Sequence, residues 1–150
     1  MSNIIEQFYT AFTQKGWQTM QSCYHDEVTF EDPAFGKLHG EDARKMWRML
    51  CEQGKDLKVE FSDIDVSDAA GKAHWEAWYT FSLTGKKIHN KIDATFIIKD
   101  GLIIKHTDHF NLHKWASQAF GWKGWLIGGT NFFKKKFQSQ AWKSLKKYKI

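Results

Sequence analysis

Apolar residues recur along this chain in two rhythms, helical in the first third and alternating through the middle. Ile5, Phe8 and Phe12 follow a capping-box pair, Asn3 and Glu6, at helical spacing until Gly16 stops the run. Trp17, Met20 and Tyr24 then fall at i, i+3 and i+7, predicting a shorter second helix that leads directly into a strand at Val28. In that strand Val28, Phe30 and Asp32 share one side, because side chains alternate with a period of two. Pro33 biases Asp32 toward extended backbone and makes the pair a corner leading to a third helix. Gly40, Glu41 and Asp42 open this helix with an acidic first turn that complements its dipole, Ala43, Met46, Trp47 and Leu50 form its buried stripe, and Gly54 ends it.

After Gly54 the period becomes two. Leu57, Val59 and Phe61 alternate, and the phase then jumps to Ile64 and Val66, which requires a bulge near Ser62 and Asp63 and so a bend in the sheet. Ala73, Trp75, Ala77, Tyr79, Phe81 and Leu83 form the inner face of the next strand, with Lys72, His74, Glu76, Thr80 and Ser82 facing away. Gly85 lies in a tight turn, and the following strand turns Ile88, Asn90, Ile92, Ala94, Phe96 and Ile98 inward. Asp100-Gly101 is a hairpin signal, and the last strand directs Leu102, Ile104, His106, Asp108, Phe110 and Leu112 inward. Three helices and a bent run of antiparallel strands predict an α+β fold whose sheet wraps its concave face over the helices. Lys114 to Ile150 reads as helical in two parts around GWKGWLIGGT, with Phe132, Phe133, Phe137, Trp142 and Leu145 as one stripe.

Four polar residues stand where this alternation calls for apolar ones: Asp32, Asn90, His106 and Asp108. An ionised carboxylate buried without a partner costs several kcal/mol, so each must be paired, neutral or open to a cavity. A cavity accommodates all four, and two carboxylates beside an imidazole in an apolar pocket are the parts of a general acid/base site. The structural alternative is that His106 and Asp108 satisfy one another and Asn90 caps an irregular strand end. The run HTDHFNLH holds three histidines and an aspartate. On a strand, however, His109 points away from His106 and Asp108, and His113 lies near or beyond the strand end, so no metal site is expected. Neither a phosphate-binding glycine loop nor a Ser or Cys nucleophile motif is present, and no cofactor is expected.

Composition refines this picture. A chain of 150 residues is one domain with a real core, and its two cysteines, Cys23 and Cys51, lie in helical patterns as small hydrophobes in a reducing cytoplasm. The N-terminal MSNIIEQFYTAF has neither the basic start nor the apolar length of a signal peptide or membrane span. Trp 8, Phe 12 and Tyr 4 suit a wide apolar cavity or an interface. The net charge of +5 belongs to the tail, since residues 134–150 carry seven lysines and no acid. Such a tail covers the open end of the fold with its lysines outward, or lies on an anionic membrane surface; no nucleic-acid reading motif accompanies it.

The order helix, helix, strand with Glu31-Asp32-Pro33, helix, then strands ending in GLIIKHTDHFNLHKW resembles the NTF2-like superfamily, in particular its SnoaL-like and ketosteroid-isomerase-related branch. The resemblance implies a cone of curved sheet and three helices over residues 1–115, with residues 116–150 as a basic, aromatic-rich helical extension on the same domain. It also implies a small molecule in the cone and a homodimer through the sheet's outer face. Asp32 matches the proton-abstracting aspartate of ketosteroid isomerases, but Phe8 and Ala94 stand where those enzymes keep oxyanion-hole donors, with Tyr9 and Asp93 adjacent on other faces. Without those donors steroid isomerisation is not expected. Thr107-Asp108-His109-Phe110-Asn111 is similar to the R-D-Y-F-D run of limonene-epoxide-hydrolase-like and polyketide-cyclase-like members, where the first Asp is the acid or base, and Asp108 matches it.

The expected function is therefore binding of a small hydrophobic, oxygenated molecule, with isomerase-, cyclase- or hydrolase-like proton transfer at the pocket. Asp108 and Asp32 serve as general base and acid, and His106 as their partner or shuttle. Asn90 orients a substrate oxygen, while Tyr79, Trp75, Tyr24 and Phe110 form the wall. The alternative is a non-catalytic binding or interaction module that meets membranes through its lysine-rich tail.

Overall fold

The computed structural model describes residues 3–149; residues 1, 2 and 150, which the expected domain bounds include, lie outside the described residues. Helix α1 (Ile4–Thr13) starts where Asn3 caps it, its side chain accepting from the Glu6 amide at 2.8 Å, and it buries Ile5, Phe8, Tyr9, Ala11 and Phe12. Helix α2 (Trp17–Ser22) is followed at once by strand β1 (Tyr24–Asp32). Tyr24 is thus a strand residue rather than the end of a helix. It pairs with Ile103 of a distant parallel strand, and the Ile103 amide donates to the Cys23 carbonyl at 2.9 Å. Long-range pairing has prevailed here over helical spacing.

The corner after Asp32 is a hairpin turn, and the chain returns as a short strand β2 (Gly36–His39), paired antiparallel with β1 from Thr29↔His39 to Asp32↔Gly36. Four residues are too few to reveal an alternation, so this strand is absent from the sequence reading. Helix α3 (Glu41–Gln53) buries Ala43, Met46, Trp47, Met49 and Cys51; Leu50, expected in that stripe, is only half-buried.

The remaining strands are β3 (Lys58–Val66), β4 (Ala70–Thr80), β5 (Lys87–Lys99) and β6 (Leu102–His109). Among the described residues six strands form one sheet in the order β2-β1-β6-β5-β4-β3, antiparallel except for β1 and β6, so the sheet is mixed. The register of β3 against β4 shifts between Ser62 and Asp65, with Asp63 at φ 55, where the phase jump required a bulge. A second shift, unforeseen, lies between Ile97 and Ile98 and skips one residue of β6. Ile103 is consequently the buried residue, while Leu102 and Ile104, expected inside, are half-buried; His106 and Asp108 recover the inward phase. Leu83, also expected inside, lies past the end of β4 and is 75% exposed. Phe110 and Leu112 lie beyond β6.

The described residues of the tail form three helices rather than two: α4 (Leu112–Phe120), α5 (Trp122–Ile127) within the glycine-rich break, and α6 (Asn131–Lys147). Phe133, Phe137 and Leu145 of α6 pack inward, whereas Phe132 and Trp142 are exposed. Residues 133, 137 and 145 repeat in steps of four, while 132 and 142 sit off that line by a large part of a turn. The main core joins α1, α2 and α3 to the inner sheet face and takes in Leu145, and a smaller cluster forms around Trp115, Ile88 and Phe133. Among the described residues no helix is long and apolar enough to cross a membrane.

Candidate functional site

Between the inner sheet face, α3, α4 and α6 lies a cavity of about 360 Å³. Asp32 from the end of β1, Trp75 and Tyr79 from β4, Asn90 from β5, Asp108 from β6 and Phe110 all line it. Two residues expected at its surface stand behind it: Tyr24 and His106 are buried and do not line the cavity. Thr80 and Ser82, expected to face away, reach its rim, because β4 ends at Thr80 and the alternation ends with it. Sequence reasoning missed Trp47, Trp115 and Phe137 as wall residues. Trp47 reads as one more member of a helical core stripe, and the other two lie in the tail, so no local signal marks them.

Behind the wall runs a chain of hydrogen bonds from α3 to β4. Trp47 Nε1 donates to the Tyr24 hydroxyl at 2.7 Å, Tyr24 meets His106 Nδ1 at 2.8 Å, and His106 Nε2 meets Asp108 Oδ1 at 2.8 Å. Indole N–H is only a donor, so the Tyr24 oxygen accepts from Trp47 and its single hydrogen goes to His106 Nδ1. His106 Nε2 then carries the hydrogen that it donates to Asp108. Aromatic rings hold the imidazole in place: Trp47 stacks on it at 5.8 Å with planes 10° apart, and Phe8, Phe30 and Phe96 enclose the rest. Asp108 Oδ1 also accepts from Trp75 Nε1 at 3.4 Å. Both bonds fall on one oxygen, and among the described residues Oδ2 has no partner, which leaves it for a guest.

Asp32 is held differently. Its Oδ1 accepts from the amides of Ala34 at 2.9 Å and Phe35 at 2.6 Å, which fixes the hairpin turn. Burial pushes its carboxyl up to about 7; the Phe35 amide opposes this, and the charge of Asp108 adds to it. Near neutrality Asp32 is therefore divided between acid and base forms. Trp115 Nε1 donates to the Tyr79 hydroxyl at 2.7 Å, leaving the Tyr79 hydrogen free to donate, and burial raises the Tyr79 pKa so that this hydrogen is retained. The Asn90 side chain makes no hydrogen bond among the described residues. The cavity thus offers two carboxyls, a hydroxyl donor and an amide against a largely aromatic wall.

Tyr9, expected on another face, lies inside the core beside Trp75, Phe61 and Phe96, and its buried hydroxyl has no hydrogen-bond partner among the described residues. Asp93 is on the outer face, bonded to His74 Nδ1 at 2.9 Å. There His74 also meets Glu76 at 2.8 Å, Glu76 meets His89 at 2.6 Å, and Trp78 stacks on His89 at 4.4 Å. His109 is exposed, and His113 Nε2 donates to the Trp125 carbonyl at 2.5 Å, so neither joins His106 and Asp108. Among the described residues no three His, Cys, Asp or Glu side chains are grouped to hold a metal ion.

Several solved structures share the fold. An NTF2-like protein of unknown function from Burkholderia pseudomallei superposes with a TM-score of 0.67 at 15% identity, over 80% of this chain and 99% of that one. A putative polyketide cyclase from Xanthomonas campestris pv. campestris gives 0.61 at 20% identity, over 77% and 93%. An LEH-like epoxide hydrolase of M. tuberculosis gives 0.61 at 20% identity, over 83% and 88%. No curated protein matches the sequence. Residues 5–106 match the SnoaL-like domain, and with that span and this sheet the chain belongs to the SnoaL-like family of the NTF2-like superfamily.

Proposed function

We propose that this protein binds a small hydrophobic, oxygenated molecule in the cavity and transfers protons to and from it, in an isomerase-, cyclase- or hydrolase-like reaction. The observation that carries this reading is that Asp32 and Asp108, from separate strands, line one aromatic cavity. Asp108 Oδ2 takes a proton from an attacking water or an acidic carbon, while His106 and Trp75 hold Oδ1. Asp32 in its acid form gives a proton to the substrate oxygen that gains charge, and exchange with solvent restores both carboxyls. Tyr79 and Asn90 orient that oxygen. The putative cyclase and the epoxide hydrolase among the similar structures agree with such chemistry. The residues beyond 115 complete the pocket as an extension, since Phe137 and Ala141 line it.

The test is a panel of hydrophobic epoxides and enolisable ketones, followed by mass spectrometry for water addition and for deuterium uptake. At least one compound is turned over, and Asp108→Asn slows it by about 100-fold or more. Equal rates in the two proteins overturn the assignment of Asp108.

The setting is proposed to be the cytoplasm, and the protein a homodimer through the outer sheet face, where Trp78 and His89 stack. A second reading, association with a membrane surface through the tail, is favoured by one observation: all nine charged side chains after Asp108, with histidine taken as neutral, are lysines.

A further inference from the structure

Helix α5 turns its glycines inward and its large apolar side chains outward. A Cβ on Gly124 would lie 1.9 Å from the Ala116 carbonyl oxygen, and one on Gly128 would lie 2.6 Å from the Ala116 Cβ. The glycines therefore let α5 lie directly on the backbone of α4, and His113 fastens it through the Trp125 carbonyl. The large apolar side chains of α5 lie mostly outside this contact, although the Trp125 ring comes within 6.3 Å of the His113 ring. Trp122 is 69% exposed, Trp125 62%, Leu126 59% and Ile127 50%, and Phe132 at the start of α6 is 71% exposed. Five large apolar side chains this exposed within eleven residues are a local concentration rather than scattered surface positions, and exposed apolar surface of that kind marks a docking surface.

Charge decides what docks there. Lys123 Nζ lies 5.8 Å from the Trp122 ring and Lys136 Nζ 5.9 Å from the Phe132 ring, with Lys134 and Lys135 exposed beside them. No acidic residue follows Asp108. A second copy of this chain would bring the same lysines face to face without a counter-charge. An anionic bilayer supplies that counter-charge in its phosphates, and tryptophan and phenylalanine favour its interfacial layer.

Resting on the reading that the tail meets a membrane, we propose that α5 is the inserted element of a peripheral docking surface for anionic bilayers. Trp122, Trp125, Leu126, Ile127 and Phe132 enter the headgroup layer while Lys123 and Lys134 to Lys136 hold the lipid phosphates. The helices that α5 connects also wall the cavity, through Trp115 of α4 and Phe137 and Ala141 of α6.

Flotation of the full chain with phosphatidylglycerol–phosphatidylcholine vesicles, against pure phosphatidylcholine, tests both layers of this proposal. The unaltered protein floats with the anionic vesicles only. The triple change W122S/W125S/L126S reduces the bound fraction at least about 10-fold, and K134Q/K135Q/K136Q weakens binding on the order of 100-fold. If the unaltered protein stays unbound, the membrane reading and the role of α5 both fall. If it floats and the W122S/W125S/L126S protein floats equally, the role of α5 falls while the membrane reading stands. Quenching of the unaltered protein's tryptophan fluorescence by brominated phosphatidylglycerol gives the same answer without substitution, and no quenching overturns insertion. Self-association in sedimentation that disappears in W122S/W125S/L126S, with no vesicle binding, assigns the patch to a second copy and overturns the proposal.

Discussion

Tyr24 sets the direction of the hydrogen-bond chain, because it is the one member that both accepts from Trp47 and donates to His106. Removing its hydroxyl leaves a buried indole N–H and a buried ring nitrogen without partners. Tyr24→Phe should therefore destabilise the fold by about 1–3 kcal/mol, read from urea unfolding. It should also slow the proposed turnover, since His106 is no longer held toward Asp108. Asp32 has an opposite signature. Its carboxyl titrates at about 7 in the folded protein and near its ordinary 3.8 when unfolded, so between those values the folded chain keeps a proton that the unfolded chain has lost. Stability attributable to Asp32 thus falls as pH rises through this window, and the full penalty stands above it. Asp32→Asn, which keeps the Oδ1 acceptor, should raise stability by about 1–3 kcal/mol at pH 8 and change little near pH 4, checked by unfolding at both. The two carboxylates were legible in the sequence because each breaks an apolar alternation. Tyr24 was not, since i, i+3, i+7 spacing looks helical even when a parallel strand claims the residue. Nor could the sequence distinguish a residue lining the cavity, as Asp108 does, from one directly behind it, as His106 is.

Elements differ in how much of themselves they show. The long helices and β3 to β5 carry enough periods to be read, and the bulge at Ser62 and Asp63 announces itself as a phase jump. β2 has four residues and no period. The shift at Ile97 and Ile98 falls among consecutive apolar residues on both strands, where a slip leaves no polar mark. α5 was hidden for another reason. Its glycines read as a break, yet here they are the contact surface, and Gly124→Ala would place a methyl group against the Ala116 carbonyl. That substitution should detach α5 while sparing the main core. Hydrogen exchange should rise at residues 122–128 and stay unchanged in β4 to β6; uniform protection would show that the close approach does not hold α5.

At the scale of the molecule, the cavity exists because the C-terminal helices close over the inner sheet face. Leu145 joins the main core from α6, which packs against α3. Leu145→Ala should cost about 2–5 kcal/mol and loosen the Phe137 side of the cavity, measured as loss of stability together with weaker retention of any copurifying hydrophobic molecule. The sequence told of an α+β fold with an inward polar set. It could not tell that the tail supplies wall residues, because Trp115 and Phe137 act through a contact with distant strands rather than through a local pattern. The dimer proposal belongs to this scale too, and Trp78→Glu on the outer face should shift sedimentation toward the monomer.

The proposed chemistry requires that the two carboxyls share one cavity. The direct measurement is the Asp32 carboxyl carbon followed by NMR from pH 3 to 9, in the unaltered protein and in Asp108→Asn. The expected result is a midpoint at about 7 that moves down when the Asp108 charge is removed. A midpoint near 4, the same in both proteins, would mean that Asp32 is solvated and apart from Asp108, and would contradict it.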